Sequence, residues 1–258
     1  MRCPLSIGRR SDAVWQIIGA SVQGTSHRVA GRGCDDAFAF KADTAGCVAV
    51  AVADGAGSAE HSAAGARYAV ESAVEFALAA LAHSEVTPSA LHDLLQSTFA
   101  HTADRLREIA TFGGPTAREL ACTLLVVVAG PDFVGAAQIG DGAVVVNFEG
   151  EIEGLTAPQR YEYLNQTTFL TGDDYLGDLT IACASQRVSQ FAMVTDGLQG
   201  IAFDLANDQP FQPFFRTLFT FAERRSATDL EVAQFLNSDR VNAATDDDKT
   251  LVLVSRLA

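Results

Sequence analysis

The chain has 258 residues, of which 48% are hydrophobic and 19% charged, a composition typical of a globular protein. Lys and Arg number 18 against 32 Asp and Glu, so the formal net charge is −14. This balance argues against binding to nucleic acid or to an anionic membrane, because both interactions use Lys and Arg against phosphate groups. The surplus carboxylates are compatible with divalent cations.

No apolar run approaches the roughly 20 residues that cross a bilayer. Ser11, Asp12 and Gln16 interrupt the segment where a signal peptide would be apolar. The cysteines, at positions 3, 34, 47, 122 and 183, are odd in number and form no CxxC, which argues against disulfides and structural zinc. We therefore predict a cytoplasmic protein with neither membrane nor nucleic acid as a partner.

The first half of the chain predicts two strands and then two helices. Residues 13–22 and 47–53 are strands, and the second has the apolar run of a strand buried on both faces. Residues 58–83 carry apolar residues at helical spacing behind Ser58, a candidate N-cap. A second helix begins at Thr87-Pro88 and ends at Gly113-Gly114-Pro115.

In the second half of the chain the apolar pattern changes from helical spacing to short runs typical of strands. It predicts strands at 120–129, 133–139, 143–148, 188–195 and 250–257, and helices at 213–225 and from a capping box at Thr228 to about Ser238. Gly130-Pro131-Asp132 and Gly140-Asp141-Gly142 both have hairpin-turn chemistry. Residues 149–187 are weakly patterned and predict loops in an insertion. The order of elements indicates an α+β class, and we predict one domain over 1–258.

Five acidic segments share one context, at or near the end of a predicted strand and usually beside glycine. They are Cys34-Asp35-Asp36, Asp54-Gly55, Gly140-Asp141-Gly142, Asp196-Gly197 and Asp246-Asp247-Asp248. Strand ends on a rigid scaffold can aim side chains at one point. Carboxylates without His or Cys suit Mg²⁺, Mn²⁺ or Ca²⁺ better than zinc or copper. For any single Asp-Gly the alternative is a tight turn.

This ordered series resembles the metal-dependent serine/threonine protein phosphatases of type 2C. The stretch Gly24-Thr25-Ser26-His27, together with Ala53-Asp54-Gly55-Ala56-Gly57-Ser58, is most similar to a bacterial branch of that family. The matching segments are Asp35-Asp36, Val52-Ala53-Asp54-Gly55, Ala121-Cys122-Thr123, Ile139-Gly140-Asp141, Val194-Thr195-Asp196-Gly197 and Asp247-Asp248-Lys249-Thr250. The resemblance implies a four-layer αββα sandwich, in which two antiparallel sheets are flanked by helix pairs. It also implies two Mn²⁺ or Mg²⁺ ions, with a third as an option, and hydrolysis of phosphoserine and phosphothreonine in proteins by a metal-bridging hydroxide. A phosphorylated protein would be the substrate, and a cognate Ser/Thr kinase is a candidate partner.

Site roles follow from the same resemblance. The metal positions it implies are Asp35, Asp36, Asp54, Gly55, Asp141, Asp196 and Asp247. Asp54 would bridge the two metals, Asp35 and the Gly55 carbonyl would serve one, and Asp196 and Asp247 the other. Asp36 would lie behind these ligands, and Asp141 matches a position for the third metal. The implied catalytic residues are Asp54, Asp196 and Arg32.

Three departures from the family pattern stand out. The family often has a histidine, a proposed general acid, where this chain has Ala56; His27 and His61 are candidate substitutes, each with a structural role as the alternative. An arginine that holds phosphate in many members corresponds to Gly31 here, so Arg32, or else Arg28, would act as the clamp unless it is a solvated loop cation. Asp248 replaces an asparagine and adds charge beside the metals.

The departures leave two other functions open. One is a catalytically weak regulatory module that binds a phosphoprotein or kinase, for which a histidine restored at position 56 would raise the rate. The other is hydrolysis of a small phosphate ester on the same centre.

Overall fold

A computed structural model describes residues 15–82, 86–112, 114–159, 167–204 and 207–257. The strands in these ranges are β1 Trp15–Val22, β2 Ala37–Ala42, β3 Val48–Ala53, β4 Leu124–Ala129, β5 Val134–Ile139, β6 Ala143–Phe148, β7 Glu151–Gly154, β8 Thr180–Ala184, β9 Gln190–Val194, β10 Phe203–Asp204, β11 Gln209–Pro210 and β12 Lys249–Arg256. The α-helices are α1 Thr25–Val29, α2 Ser62–Leu81, α3 Pro88–Thr111, α4 Gln199–Ala202, α5 Gln212–Ala222, α6 Asp229–Leu236 and α7 Asp239–Asn242.

The strands form two five-stranded antiparallel sheets packed face to face. The first sheet has the order β2-β3-β4-β5-β8 and the second the order β1-β12-β9-β6-β7, while β10 and β11 form a separate pair. Alternate residues of β3 face opposite ways: Ala49 and Ala51 pack against α2 and α3, whereas Val48 and Val50 pack against the second sheet. The outer face of the second sheet packs against α5 and α6. The predicted αββα sandwich is confirmed, and burial on both faces explains the continuous apolar runs.

Two local predictions are wrong. The first long helix begins at Ser62 with His61 at its N-cap, because Ser58 lies in a turn closed by a hydrogen bond from Ala59 N–H to the Ala56 carbonyl. Gly140-Asp141-Gly142 is not a hairpin turn, since β5 and β6 lie in different sheets and the segment carries the chain between them. Its glycines fit either geometry, and the pairing of the strands is decided by packing.

Other parts of the sequence held strands that the pattern missed. β2 follows the acidic pair directly, and β7 and β8 lie within the weakly patterned 149–187 segment, where they complete the edges of the two sheets. Thr87 caps α3 as predicted, and the capping box at Thr228 and Glu231 is present. The predicted ends at residues 13–14, 83 and 113, and residues 160–166 of the insertion, lie outside the described residues. None of the described helices is both long and apolar enough to span a bilayer.

Candidate metal centre

The acidic segments all lie at one edge of the sandwich. The strand register pairs Ala53 with Ala37, Ile139 with Leu124, Val194 with Ala143 and Leu251, and Val22 with Lys249. Neighbouring antiparallel strands run in opposite directions, so the end of one lies beside the start of the next. The segments that follow β3, β5 and β9 therefore meet those that precede β2 and β12.

Three carboxylates meet at the centre of this edge. Asp54, Asp141 and Asp196 each place an oxygen within 4.8 Å of the others. Burial raises the pKa of Asp54 well above its ordinary value, and repulsion from Asp36 and Asp196 raises it further. Burial and the nearby Asp141 likewise raise the pKa of Asp196 to about 8. Asp247 adds to the repulsion on both Asp141 and Asp196, so four of the predicted metal ligands are electrostatic neighbours.

Asp36 lies behind this group and is only 2% exposed. Its Oδ2 accepts hydrogen bonds from the hydroxyls of Thr195 (2.9 Å) and Thr250 (2.8 Å), whereas its Oδ1 has no partner among the described residues. Burial raises the pKa of Asp36 to about 7, and its carboxyl interacts directly with that of Asp54. In the sequence these threonines are part of the matching segments, and their position beside the acidic residues was the available signal for a supporting role.

A third threonine fixes the main chain of Asp54. The Thr123 hydroxyl accepts a hydrogen bond from the Asp54 N–H (2.9 Å), and the Thr123 N–H donates to the Asp54 carbonyl (2.8 Å). The two residues are 69 positions apart, so the contact joins the end of β3 to the start of β4. It holds the side chain of Asp54 over the edge of the sandwich.

Asp35 belongs to a neighbouring group. Its Oδ2 accepts hydrogen bonds from Arg32 Nη2 (2.5 Å) and from the Ser62 hydroxyl (3.1 Å), and its carbonyl accepts one from the Gly55 N–H (3.2 Å). Arg32 Nη1 also donates to the Gly57 carbonyl (2.6 Å). The structure thus places Gly55 and Arg32 beside Asp35, and the Asp35 carboxylate outside the triad of Asp54, Asp141 and Asp196.

The backbone at position 31, where many members of the family have arginine, favours glycine. Gly31 has a φ of +69°, in the left-handed region that residues with a side chain rarely adopt. Arg32 comes one residue later, and 37% of its side chain is exposed, so it can reach both Asp35 and solvent.

Position 56, where the family often has histidine, is buried among apolar side chains. Ala56 is 4% exposed and packs with Ala59, Ala121 and Phe169. The candidate substitutes lie elsewhere: His27 contacts Asp248, with Nδ1 2.9 Å from Oδ2, and His61 is exposed at the start of α2.

The weakly patterned segment 149–187 contacts the acidic centre through Thr167 and packs beside it at Leu170. The Thr167 side chain hydrogen-bonds to Asp141, and the Leu170 N–H donates to the Cys122 carbonyl (2.9 Å). Two glutamines that the sequence did not single out hold the Gly140-Asp141-Gly142 segment. Gln199 donates to the Asp141 carbonyl (2.6 Å), and Gln138 donates to the carbonyls on either side of Asp141 (2.8 Å each). Glutamine carries no motif signal, so only the structure could find them.

The donor set fits hard divalent cations. Asp54, Asp141 and Asp196 offer only carboxylate oxygens, and the buried Asp36 Oδ1 has no described donor. Such a group is stable with bound protons, as the raised pKa values indicate, or with cations in their place. Oxygen ligands of this kind are those that Mg²⁺ and Mn²⁺ prefer.

Comparison with known proteins agrees with this geometry. Residues 23–237 match the family model described as protein phosphatase 2C. The chain is 34% identical to Serine/threonine-protein phosphatase 3 of Escherichia coli (strain K12), over 93% of this chain and 97% of the relative.

Two solved structures share the fold. The serine/threonine phosphatase Stp1 from Staphylococcus aureus has a TM-score of 0.64 at 13% identity, covering 99% of this chain and 98% of its own. The catalytic domain of the phosphatase PstP, in complex with two manganese ions, has a TM-score of 0.56 at 17% identity, covering 95% and 99%. The prediction made from the acidic motifs is therefore confirmed, and the chain belongs to the protein phosphatase 2C family.

Proposed function

We propose that this protein hydrolyses phosphoserine and phosphothreonine in other proteins, with the acidic edge of the sandwich as its active site. The observation that carries the proposal is the convergence of Asp54, Asp141 and Asp196 within 4.8 Å in a member of the protein phosphatase 2C family. The E. coli relative, named a serine/threonine-protein phosphatase, supports the class of substrate.

The proposed ligands are the residues named from the sequence. Asp54 would serve both of two cations, Mn²⁺ or Mg²⁺. Asp196 and Asp247 would hold one of them, and the Gly55 carbonyl would hold the other. Asp35 would act on the second cation through water, and Asp141 would hold a third cation. Bound cations of this kind supply an activated water at neutral pH and offset the charge of the transferred phosphoryl group. The manganese-bound PstP domain supports the choice of metal.

The protein's own groups would position the substrate. The Arg32 guanidinium presents a planar fork that matches two phosphoryl oxygens, and its contacts with Asp35 and Gly57 hold that fork at the edge of the centre. Asp36 would orient Asp54 from behind, held in turn by the hydroxyls of Thr195 and Thr250.

We further assign residues 1–258 to one domain, with 149–187 as a flap over the site, since Thr167 contacts Asp141. We place the protein in the cytoplasm in a signalling role, where a cognate Ser/Thr kinase would supply its phosphoprotein substrates. The net charge of −14 supports the expectation that neither nucleic acid nor membrane is a partner.

One observation favours a second candidate, a catalytically weak module that binds a phosphoprotein or kinase. The family's frequent histidine is replaced by the buried Ala56, so a general acid at that position is absent. A leaving serine oxygen would then depart without a proton from this position, and the turnover of protein substrates would fall.

The deciding experiment measures hydrolysis of p-nitrophenyl phosphate and of a phosphothreonine peptide across a Mn²⁺ titration. Wild type is compared with Asp54→Asn and with Asp132→Asn, an exposed aspartate on the far β4–β5 turn. The proposal expects Mn²⁺-dependent turnover that falls by a factor of about 100 or more in Asp54→Asn and is unchanged in Asp132→Asn. Turnover of p-nitrophenyl phosphate alone would indicate a small-ester hydrolase. Mn²⁺ binding without any turnover would indicate the regulatory module.

A further inference from the structure

Asp248 joins two distant parts of the chain. It is 2% exposed, and each of its carboxylate oxygens accepts a main-chain hydrogen bond: Oδ1 from the Gly24 N–H (2.6 Å) and Oδ2 from the Asp35 N–H (2.5 Å). His27 Nδ1 lies 2.9 Å from Oδ2. The same Nδ1 is 3.2 Å from the Gly33 carbonyl, so both neighbours are acceptors and Nδ1 donates.

These contacts explain why the chain has aspartate where the family pattern has asparagine. A carboxylate has two acceptor oxygens, and here each faces a main-chain N–H. An asparagine has one acceptor oxygen, so its amide nitrogen would face either the Gly24 or the Asp35 N–H, donor against donor. Asp248 is therefore suited to this place by the direction of its hydrogen bonds.

Further hydrogen bonds, from Ser26 and from Lys249, hold the main chain of the loop that carries Asp247. The Ser26 N–H (2.9 Å) and hydroxyl (2.7 Å) donate to the Asp246 carbonyl. Lys249 Nζ donates to the Asp247 carbonyl (3.2 Å). Gly24 lies so close that an added Cβ would be 2.3 Å from the Asp247 carbonyl carbon, so only glycine fits there. The Asp247 side chain remains exposed towards the edge of the sandwich.

We propose that Asp248 and His27 are positioning residues that set the cation affinity of the centre by tying together Asp35 and Asp247. Asp35 and Asp248 are 213 positions apart, and this carboxylate connects the segment preceding β2 to the loop preceding β12. The inference rests on the proposed function only in naming Asp35 and Asp247 as ligands. Weakening the contacts of Asp248 lets the two ligand segments move apart. This lowers the affinity for the cation more than it lowers kcat with the cation bound.

The test measures Mn²⁺ affinity by calorimetry on purified full-length protein, so it needs no substrate. Asp248→Asn is compared with Asp246→Asn, which removes the same charge two residues away from an exposed side chain. We expect Asp248→Asn to weaken Mn²⁺ binding tenfold or more and Asp246→Asn to change it less than twofold. At saturating Mn²⁺, kcat of Asp248→Asn should return to within threefold of wild type.

A role in stability alone would lower the melting temperature without changing the Mn²⁺ affinity of the folded protein, and that result would overturn the proposal. If Asp248→Asn does not fold, His27→Ala decides, since it removes one donor to Asp248 and leaves both main-chain bonds. Its expected effect is a threefold to tenfold weaker affinity, and wild-type affinity would overturn the proposal. A wild type that binds Mn²⁺ without turnover refutes the proposed function and leaves this comparison intact.

Discussion

Raising the pH should destabilise the metal-free protein, because its acidic centre keeps protons that the unfolded chain has already released. Asp36 has a pKa of about 7 and Asp196 of about 8 in the folded state, against 3.8 ordinarily. The stability that these protonated carboxyls contribute to the folded state is fully present below pH 4 and is lost as the pH rises to about 8. Each retained proton gives a slope of about 1.4 kcal/mol per pH unit, so the two together lower the free energy of unfolding by roughly 3 kcal/mol per unit near pH 6.

The assay is urea unfolding in EDTA at pH 5, 6, 7 and 8, for wild type, Asp36→Asn and the surface control Asp132→Asn. Asp36→Asn removes one carboxyl that keeps its proton in the folded state below about pH 7, so its slope near pH 6 should be shallower than that of wild type by about 1.4 kcal/mol per pH unit. Asp132→Asn should follow wild type, because its side chain is exposed on a distant turn.

Cations should reverse the trend, since they replace the protons. Mn²⁺ should raise the melting temperature more at pH 8 than at pH 5.5, and calorimetry in buffers of different ionisation enthalpy should detect proton release near pH 6.5. A metal-free stability that stays level or rises between pH 5 and 8, equally in wild type and Asp36→Asn, would refute the reasoning that these carboxylates are crowded and protonated.

Three further substitutions test the surroundings of the centre. Ala56→His should lower stability by about 1–3 kcal/mol in urea unfolding and leave kcat unimproved, because the ring would displace Phe169; a faster enzyme of unchanged stability would contradict the packing seen here. Gln138→Leu leaves the carbonyls around Asp141 without their donor and should cost about 1–3 kcal/mol, with Gln209→Leu, on an exposed side chain, as the control. Arg32→Lys should raise KM for a phosphopeptide more than it lowers kcat, since a lysine cannot keep both fork contacts, and an unchanged KM would argue against a phosphate clamp.

Local signals identified most of the elements correctly. Thr87-Pro88 and the box of Thr228 and Glu231 start α3 and α6 because a cap is satisfied within one turn of the chain. Ser58 has the same chemistry, but it lies in a turn four residues before α2 begins. A capping residue marks a helix start only where the following turn is free to be helical, and here a tight turn competes for it.

For the candidate site too, the sequence predicted some features correctly and left others open. The order of acidic segments beside strand ends predicted the family, and the structure brings carboxylate oxygens of Asp54, Asp141 and Asp196 within 4.8 Å of one another. Their role as metal ligands stays a prediction. The sequence alone left open that Asp35 would turn its carboxylate towards Arg32, since side-chain direction depends on the donors that surround it.

What the sequence determined by itself was therefore the class of fold, most of its strands and helices and the set of carboxylates, because these follow from the period and chemistry of short windows. Only the tertiary structure decided which of them meet. The crossing at Gly140-Asp141-Gly142, the burial of Ala56 under Phe169 and the tie from Asp248 to Asp35 each depend on residues far apart in the chain. Such contacts are selected by packing and by the need of buried polar groups for partners, and neither acts within a short window.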